Sequence, residues 1–92
     1  MYCDIDVHHG DGVEEAFLYN NRVLTYSIHQ YGEDFFPKTG SLNQHHSLSN
    51  IYDSYALNVP LKEGCTDETF NSIFKLTFDR AFESYKPEVI VL

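Results

Sequence analysis

Met1-Tyr-Cys-Asp-Ile-Asp-Val-His-His-Gly-Asp-Gly-Val-Glu-Glu-Ala-Phe-Leu18, followed by Val23-Leu-Thr-Tyr-Ser-Ile28, changes its period twice within 28 residues. Residues 2–7 alternate as a strand does, 10–18 read as a turn entering a short helix, and 23–28 are β-branched and aromatic, hence a second strand. Beyond this unit the pattern lapses. Residues 29–53 hold Gly32, Pro37, Gly40 and a Ser/Asn/Gln/His-rich run from Ser41 to Asn50, a connection too long to be a simple turn. Tyr55-Ala-Leu-Asn-Val59 predicts a third strand stopped by Pro60. After Gly64, Thr66 or Asp67 can cap a helix whose apolar positions Phe70, Ile73, Phe74, Phe78, Ala81, Phe82 and Tyr85 recur at steps of three and four. Pro87 ends that helix, and 88–92 read as a last strand.

The order β-α-β-loop-β-α-β predicts an α/β fold with a parallel sheet and crossover helices. Val89-Ile-Val-Leu92 is apolar at every position, as in a strand covered on both faces. Two helices are few for such a sheet, and both ends of the chain are apolar rather than polar and frayed. Residues 1–92 are therefore expected to form a single partial domain, a piece of a larger α/β unit. Composition narrows the function. The chain is 42% hydrophobic with seven Phe and seven Tyr, enough for a core. No apolar run reaches the ~20 residues that span a bilayer, so a soluble, intracellular protein without membrane contact is expected. Six basic against fourteen acidic residues give a net charge of −8, which argues against direct nucleic-acid binding. Cys3 and Cys65 form no CxxC pair and read as reduced thiols.

The chemistry concentrates in Asp4-Ile-Asp-Val-His-His-Gly-Asp-Gly12. In an extended strand Asp4, Asp6 and His8 share one face, and a wet edge strand would explain them. Asp is a poor strand former, however, and the group falls at the carboxyl end of a strand, where open α/β sheets place ligands. Two carboxylates so close call for a compensating cation. Carboxylate and imidazole donors suit zinc, and Asp6 with His8 would supply two of the three protein ligands of a catalytic site. Asp4, one step deeper, fits a supporting position or a separate cation. His9 reads as a structural neighbour. Asp11 either caps the following helix or orients a catalytic imidazole. His29 reads as a satisfied histidine at the rim, and His45-His46 as solvated.

These motifs, with Arg22-Val-Leu-Thr-Tyr-Ser-Ile-His29, Phe35-Phe-Pro-Lys-Thr-Gly40, Tyr55-Ala-Leu-Asn-Val-Pro60 and Pro87-Glu-Val-Ile-Val-Leu92, resemble the zinc-dependent histone deacetylases, the class I type in particular. The resemblance spans nearly the whole chain and implies the central segment of a three-layer α/β/α, arginase-like deacetylase domain. By position it makes Asp6 and His8 zinc ligands. It makes Asp4, Ser27 and Ile28 part of a structural potassium site, and the carbonyls of Phe17, Asn20, Val23 and Tyr55 a second monovalent site. Phe36 would wall the acyl-lysine tunnel, and Asp11 would pair with an active-site histidine. The resemblance places that histidine and its neighbour before Met1, the third zinc ligand just beyond Leu92 and a carbonyl-polarising tyrosine further on. Lys38 stands where the family usually has glycine, and the loop from Ser41 to Ser54 departs from the family's glycine- and lysine-rich character.

The implied reaction is zinc-dependent hydrolysis of N-acetyl-lysine in histones or other proteins, with release of acetate, in a regulator of chromatin and transcription expected in the nucleus, with the cytoplasm as a second location. Corepressor-type partners are implied too. The isolated chain, carrying part of the site, is expected to be inactive. The alternatives are a polyamine deacetylase relative, an arginase-like binuclear site, which His8-His9-Gly10 argues against, and a non-catalytic scaffold that binds corepressor-type partners.

Overall fold

The computed structural model describes residues 1–44 and 55–92. Three parallel strands, β1 (Tyr2–Asp4), β2 (Thr25–Gln30) and β3 (Ala56–Leu61), lie in that order. Two helices, α1 (Asp11–Phe17) and α2 (Asp67–Tyr85), complete the described elements. Asp4 stands opposite Ser27, and Ser27 opposite Asn58. The α/β class and parallel sheet expected from the sequence are present.

Alternation along β2 sorts the molecule into layers. Tyr26 and Ile28, both fully buried, join Cys3, Val59 and Ala81 in the core under α2. Tyr26 meets Phe74 and Phe78 edge-on at 6.0 and 5.8 Å, and its hydroxyl pairs with Thr77 Oγ1 at 2.8 Å. Thr25, Ser27 and His29 face the other way, toward the segment that leads into α1. One helix thus lies on each face. That follows from right-handed crossovers, because β1 to β2 and β3 to the chain end step across the sheet in opposite directions.

The strands differ from expectation in instructive ways. β1 stops at Asp4 instead of running to Val7, because the Asp4 carboxylate accepts the Asp6 N–H and the Asp6 carboxylate accepts the His8 N–H. These local bonds replace ladder bonds, as short acidic side chains tend to do. β3 does not stop at Pro60. As an edge strand it tolerates the missing N–H and continues to Leu61, with Pro60 opposite His29. The expected strand 88–92 is reduced to a single parallel bridge, Val91 to Tyr2, held by Cys3 N–H to Val91 O at 2.8 Å and Val91 N–H to Met1 O at 3.0 Å. Val89, Ile90, Val91 and Leu92 are solvent-exposed in this chain, as are Ile5 and Val7.

The long helix begins where the sequence signals it. Thr66 is extended, and its hydroxyl accepts the Thr69 N–H at 3.2 Å. Lys86, in a left-handed conformation, closes the helix by donating its N–H to Phe82 O. No helix among the described residues is long and apolar enough to cross a membrane. Removal of the cap by Thr66→Ala is expected to lower stability by about 1 kcal/mol and Tm by roughly 4–8 °C, with Thr66→Ser close to wild type, in thermal unfolding followed by circular dichroism.

Candidate metal centre

The segment after β1 climbs in two-residue steps. Asp4 Oδ1 accepts the Asp6 N–H at 3.0 Å, and Asp6 Oδ1 accepts the His8 N–H at 2.8 Å. The second step also turns the imidazole, leaving His8 Nδ1 3.1 Å from Asp6 Oδ1. The Asp6 carboxyl is held below its ordinary range, first by the His8 backbone N–H and then by the His8 ring. Both side chains are well exposed, at 68% and 48%, so their donor atoms are open to a ligand.

That spacing bears on the expected zinc. Bonds of about 2.0–2.1 Å in a tetrahedral site put neighbouring donor atoms about 3.3 Å apart, close to the observed separation. The pair therefore fits two corners of such a site. Among the described residues no group of three or more His, Cys, Asp or Glu side chains comes together to hold a metal ion. Further ligands would have to come from elsewhere.

The residues expected to hold potassium are neighbours. Asp4 and Ser27 are register partners, and Gly10 touches both: a Cβ there would overlap the Asp4 carboxylate, and the Gly10 N–H donates to Ser27 Oγ at 3.3 Å. Asp4 Oδ2 also accepts the Tyr2 hydroxyl at 3.0 Å. Ile28 follows Ser27 in β2 with its side chain on the opposite, apolar face. For the second expected site, Phe17, Asn20 and Val23 lie in the turn from α1 to β2, where Phe17 O accepts from Asn20 N–H and Asn20 O from Val23 N–H. The Tyr55 carbonyl accepts the Thr25 N–H, two residues beyond Val23.

Asp11 is the first residue of α1, exposed, with its carboxylate on the Gly12 N–H at 2.7 Å. Phe36 is 72% exposed and sits edge-on to the His8 ring at 5.9 Å, while Phe35 stacks on that ring at 5.3 Å. Lys38, two residues on, is exposed with φ of 69°, a backbone conformation that favours glycine. His45 and His46 lie outside the described residues.

Beneath these groups is a buried polar network that the motifs do not announce. His29 is 1% exposed, and its Nε2 can only donate to the Gly40 carbonyl at 2.8 Å. Its Nδ1 is then the acceptor for the Ser27 hydroxyl at 2.8 Å. Burial pushes the His29 imidazole below its ordinary value, outweighing the opposite pull of the Gly40 carbonyl. His9, also buried, packs its ring 4.7 Å from that of His29. Its Nε2–H donates to the buried Glu14 carboxylate at 3.0 Å, and its Nδ1 pairs with the Thr39 hydroxyl at 2.8 Å. His9 and His29 are thus satisfied histidines, as the sequence suggests, but His29 lies buried within β2 rather than at the rim after it. Glu14 was not foreseen; nothing in its spacing marks it.

Gly40 closes the network under tight constraint. Its φ is +86°, and a Cβ there would overlap both histidine rings. Gly40→Ala is expected to lower stability by at least about 1–2 kcal/mol from the left-handed backbone alone. Gly12, inside α1 with open space around it, is the control: Gly12→Ala is expected to be neutral or to stabilise by up to about 1 kcal/mol. Urea unfolding of the two variants measures both.

Comparison with known proteins shows the family. The family model for the histone deacetylase domain matches residues 1–92. The chain is 48% identical over 92 residues to histone deacetylase 9 of Arabidopsis thaliana, 51% to histone deacetylase 6 of the same plant and 47% to histone deacetylase 1 of Homo sapiens. Each alignment covers 100% of this chain but 21%, 19% and 18% of the respective relative, so the chain spans about a fifth of their length. With an α/β sheet whose first strand leads into Asp4-x-Asp-x-His-His9, and with the family model matched over residues 1–92, the chain belongs to the histone deacetylase family and corresponds to a part of the histone deacetylase domain.

Proposed function

We propose that this chain contributes part of the metal site of a zinc-dependent protein-lysine deacetylase, which hydrolyses N-acetyl-lysine in histones or other proteins and releases acetate. The observation that carries the reading is the pair Asp6 Oδ1 and His8 Nδ1, exposed and 3.1 Å apart at a strand end. When bound, zinc supplies a Lewis acid for the amide carbonyl and makes its own water more acidic. This chain's residues hold and shape the place. Asp6 and His8 present an anionic oxygen and a nitrogen, while Phe35 and the Asp6 carboxylate fix the imidazole plane. Phe36 offers an aromatic wall suited to the aliphatic stem of a lysine. Asp4, Ser27 and Ile28 would hold potassium, whose charge offsets the second carboxylate. Phe17, Asn20, Val23 and Tyr55 would supply carbonyls to a second monovalent ion. Asp11, exposed at the start of α1, is free to orient a histidine contributed from outside these residues. Nuclear action on chromatin, with transcription repression and corepressor-type partners, is part of the same proposal.

A zinc titration of the chain followed by histidine NMR tests the metal reading. His8 resonances are expected to move with zinc while those of the buried His9 and His29 stay, and His8→Ala is expected to abolish the response. Zinc that leaves His8 unmoved contradicts the reading. In an acetate-release assay on an acetylated histone peptide the isolated chain is expected to be inactive, since two ligands without a general base leave most of the barrier untouched. Zinc-dependent release by the chain, lost in His8→Ala, would overturn that expectation.

A further inference from the structure

The loop 35–40 touches the segment after β1 at three points and β2 at a fourth. Phe35 stacks on the His8 ring, Phe36 meets its edge, Thr39 pairs with His9 and Gly40 with His29. The two outer contacts are ring contacts on the exposed His8 with no hydrogen bond between them, whereas the two inner ones are directional hydrogen bonds to the buried rings of His9 and His29. Stacking alone leaves a loop free to slide along a ring face. A directional hydrogen bond to a buried ring nitrogen does not, because losing the partner of a buried polar atom costs more than losing one at an exposed site.

Each histidine also has its far nitrogen tied down. His9 is held by Glu14 of α1, and His29 by Ser27 of its own strand, whose hydroxyl in turn accepts the Gly10 N–H. The rings are therefore fixed posts between rigid elements and the loop. No side chain at position 40 fits between them, so the loop approaches as closely as its backbone allows.

We infer that His9 and His29 are positioning residues: they clamp the loop 35–40, through Thr39 and Gly40, so that Phe35 and Phe36 keep their places beside His8. The inference rests on the reading of Phe36 as a substrate wall only for its effect on KM; the clamp itself is a statement about this chain. Neither histidine needs to touch metal or substrate to act. Their influence reaches the site through the aromatic pair that fixes the His8 ring.

Thr39→Val removes the hydroxyl that His9 grips and keeps the side chain's shape, while Thr39→Ser keeps the hydroxyl. His9→Asn places an amide where Nδ1 stood and retains the Thr39 arm, whereas His9→Gln reaches toward Glu14 and drops it. NMR of the chain reads the clamp directly. Thr39→Val and His9→Gln are expected to lose the ring-current shift of the His8 ring protons and their cross-relaxation with Phe36. Thr39→Ser and His9→Asn are expected to keep both, with the resonances of Tyr26 and Ile28 reporting an intact sheet in all four. His8 shifts unchanged in Thr39→Val overturn the inference, and so does equal loss in Thr39→Ser. In a longer protein that contains this chain and releases acetate from acetyl-lysine peptide, Thr39→Val is expected to raise KM several-fold while kcat holds, because a wall that binds substrate and transition state alike acts on KM. Absence of any acetate release from the wild-type protein would count against the deacetylase reading and leave the NMR result to decide the clamp.

Discussion

Ser27 and His29 are polar, buried and set two residues apart in the middle strand, and this pair constrains everything on their side of the sheet. A buried imidazole with no partner would cost more than the strand gains by forming there. Each of its nitrogens must meet a partner, one from its own strand and one brought from elsewhere in the chain. Gly40 supplies one acceptor and Ser27 the donor, and Ser27 then accepts the Gly10 N–H. Three segments far apart in sequence are thereby drawn to one place: the exit of β1, the middle of β2 and the loop 35–40. The opposite parity of the same strand does the complementary work. Tyr26 and Ile28 bury apolar surface under α2 and fix the strand in the register that presents Ser27 and His29 to the other layer.

The exposed metal segment follows from this arrangement. Beyond Asp4 the regular ladder ends, with one backbone bond from Gln30 N–H to Val7 O, and the N–H groups of Asp6 and His8 are taken by the carboxylates of Asp4 and Asp6. A segment organised by its own acidic side chains keeps a defined shape without being buried, so Asp6 and His8 remain open to a ligand. Gly10 lets the chain pass against both Asp4 and Ser27, and Gly40 lets the loop pass against both histidines. At each point the close approach explains the residue.

The sequence made the layer order legible because the period changes of the first 28 residues are clean and the apolar steps of α2 are long. The cap at Thr66, the partition of Cys3, Tyr26 and Ile28 into a core and the pairing of Asp6 with His8 all follow from local rules. The ends of strands were not legible. Asp4 and Asp6 alternate as strand residues do, yet their side chains outcompete the ladder; Pro60 looks like a stop but sits on an edge where its missing N–H costs nothing. The run 88–92 has a buried strand's composition, yet makes one bridge with its side chains exposed in this chain. The network of His9, Glu14, His29, Thr39 and Gly40 was the least visible, because its members come from four segments and only the tertiary fold shows that they meet. A polar Ser-x-His alternation inside a β-branched and aromatic strand is the one signal that pointed to it.

Nitrogen-15 NMR of the His29 imidazole tests most directly whether this buried face organises the site. The Nε2–H tautomer, with a slowly exchanging ring proton and a neutral ring that persists below the ordinary value of 6.5, is the result that the bonds to Gly40 and Ser27 require. An Nδ1–H tautomer, or a ring that exchanges freely and titrates at its ordinary value, would contradict it.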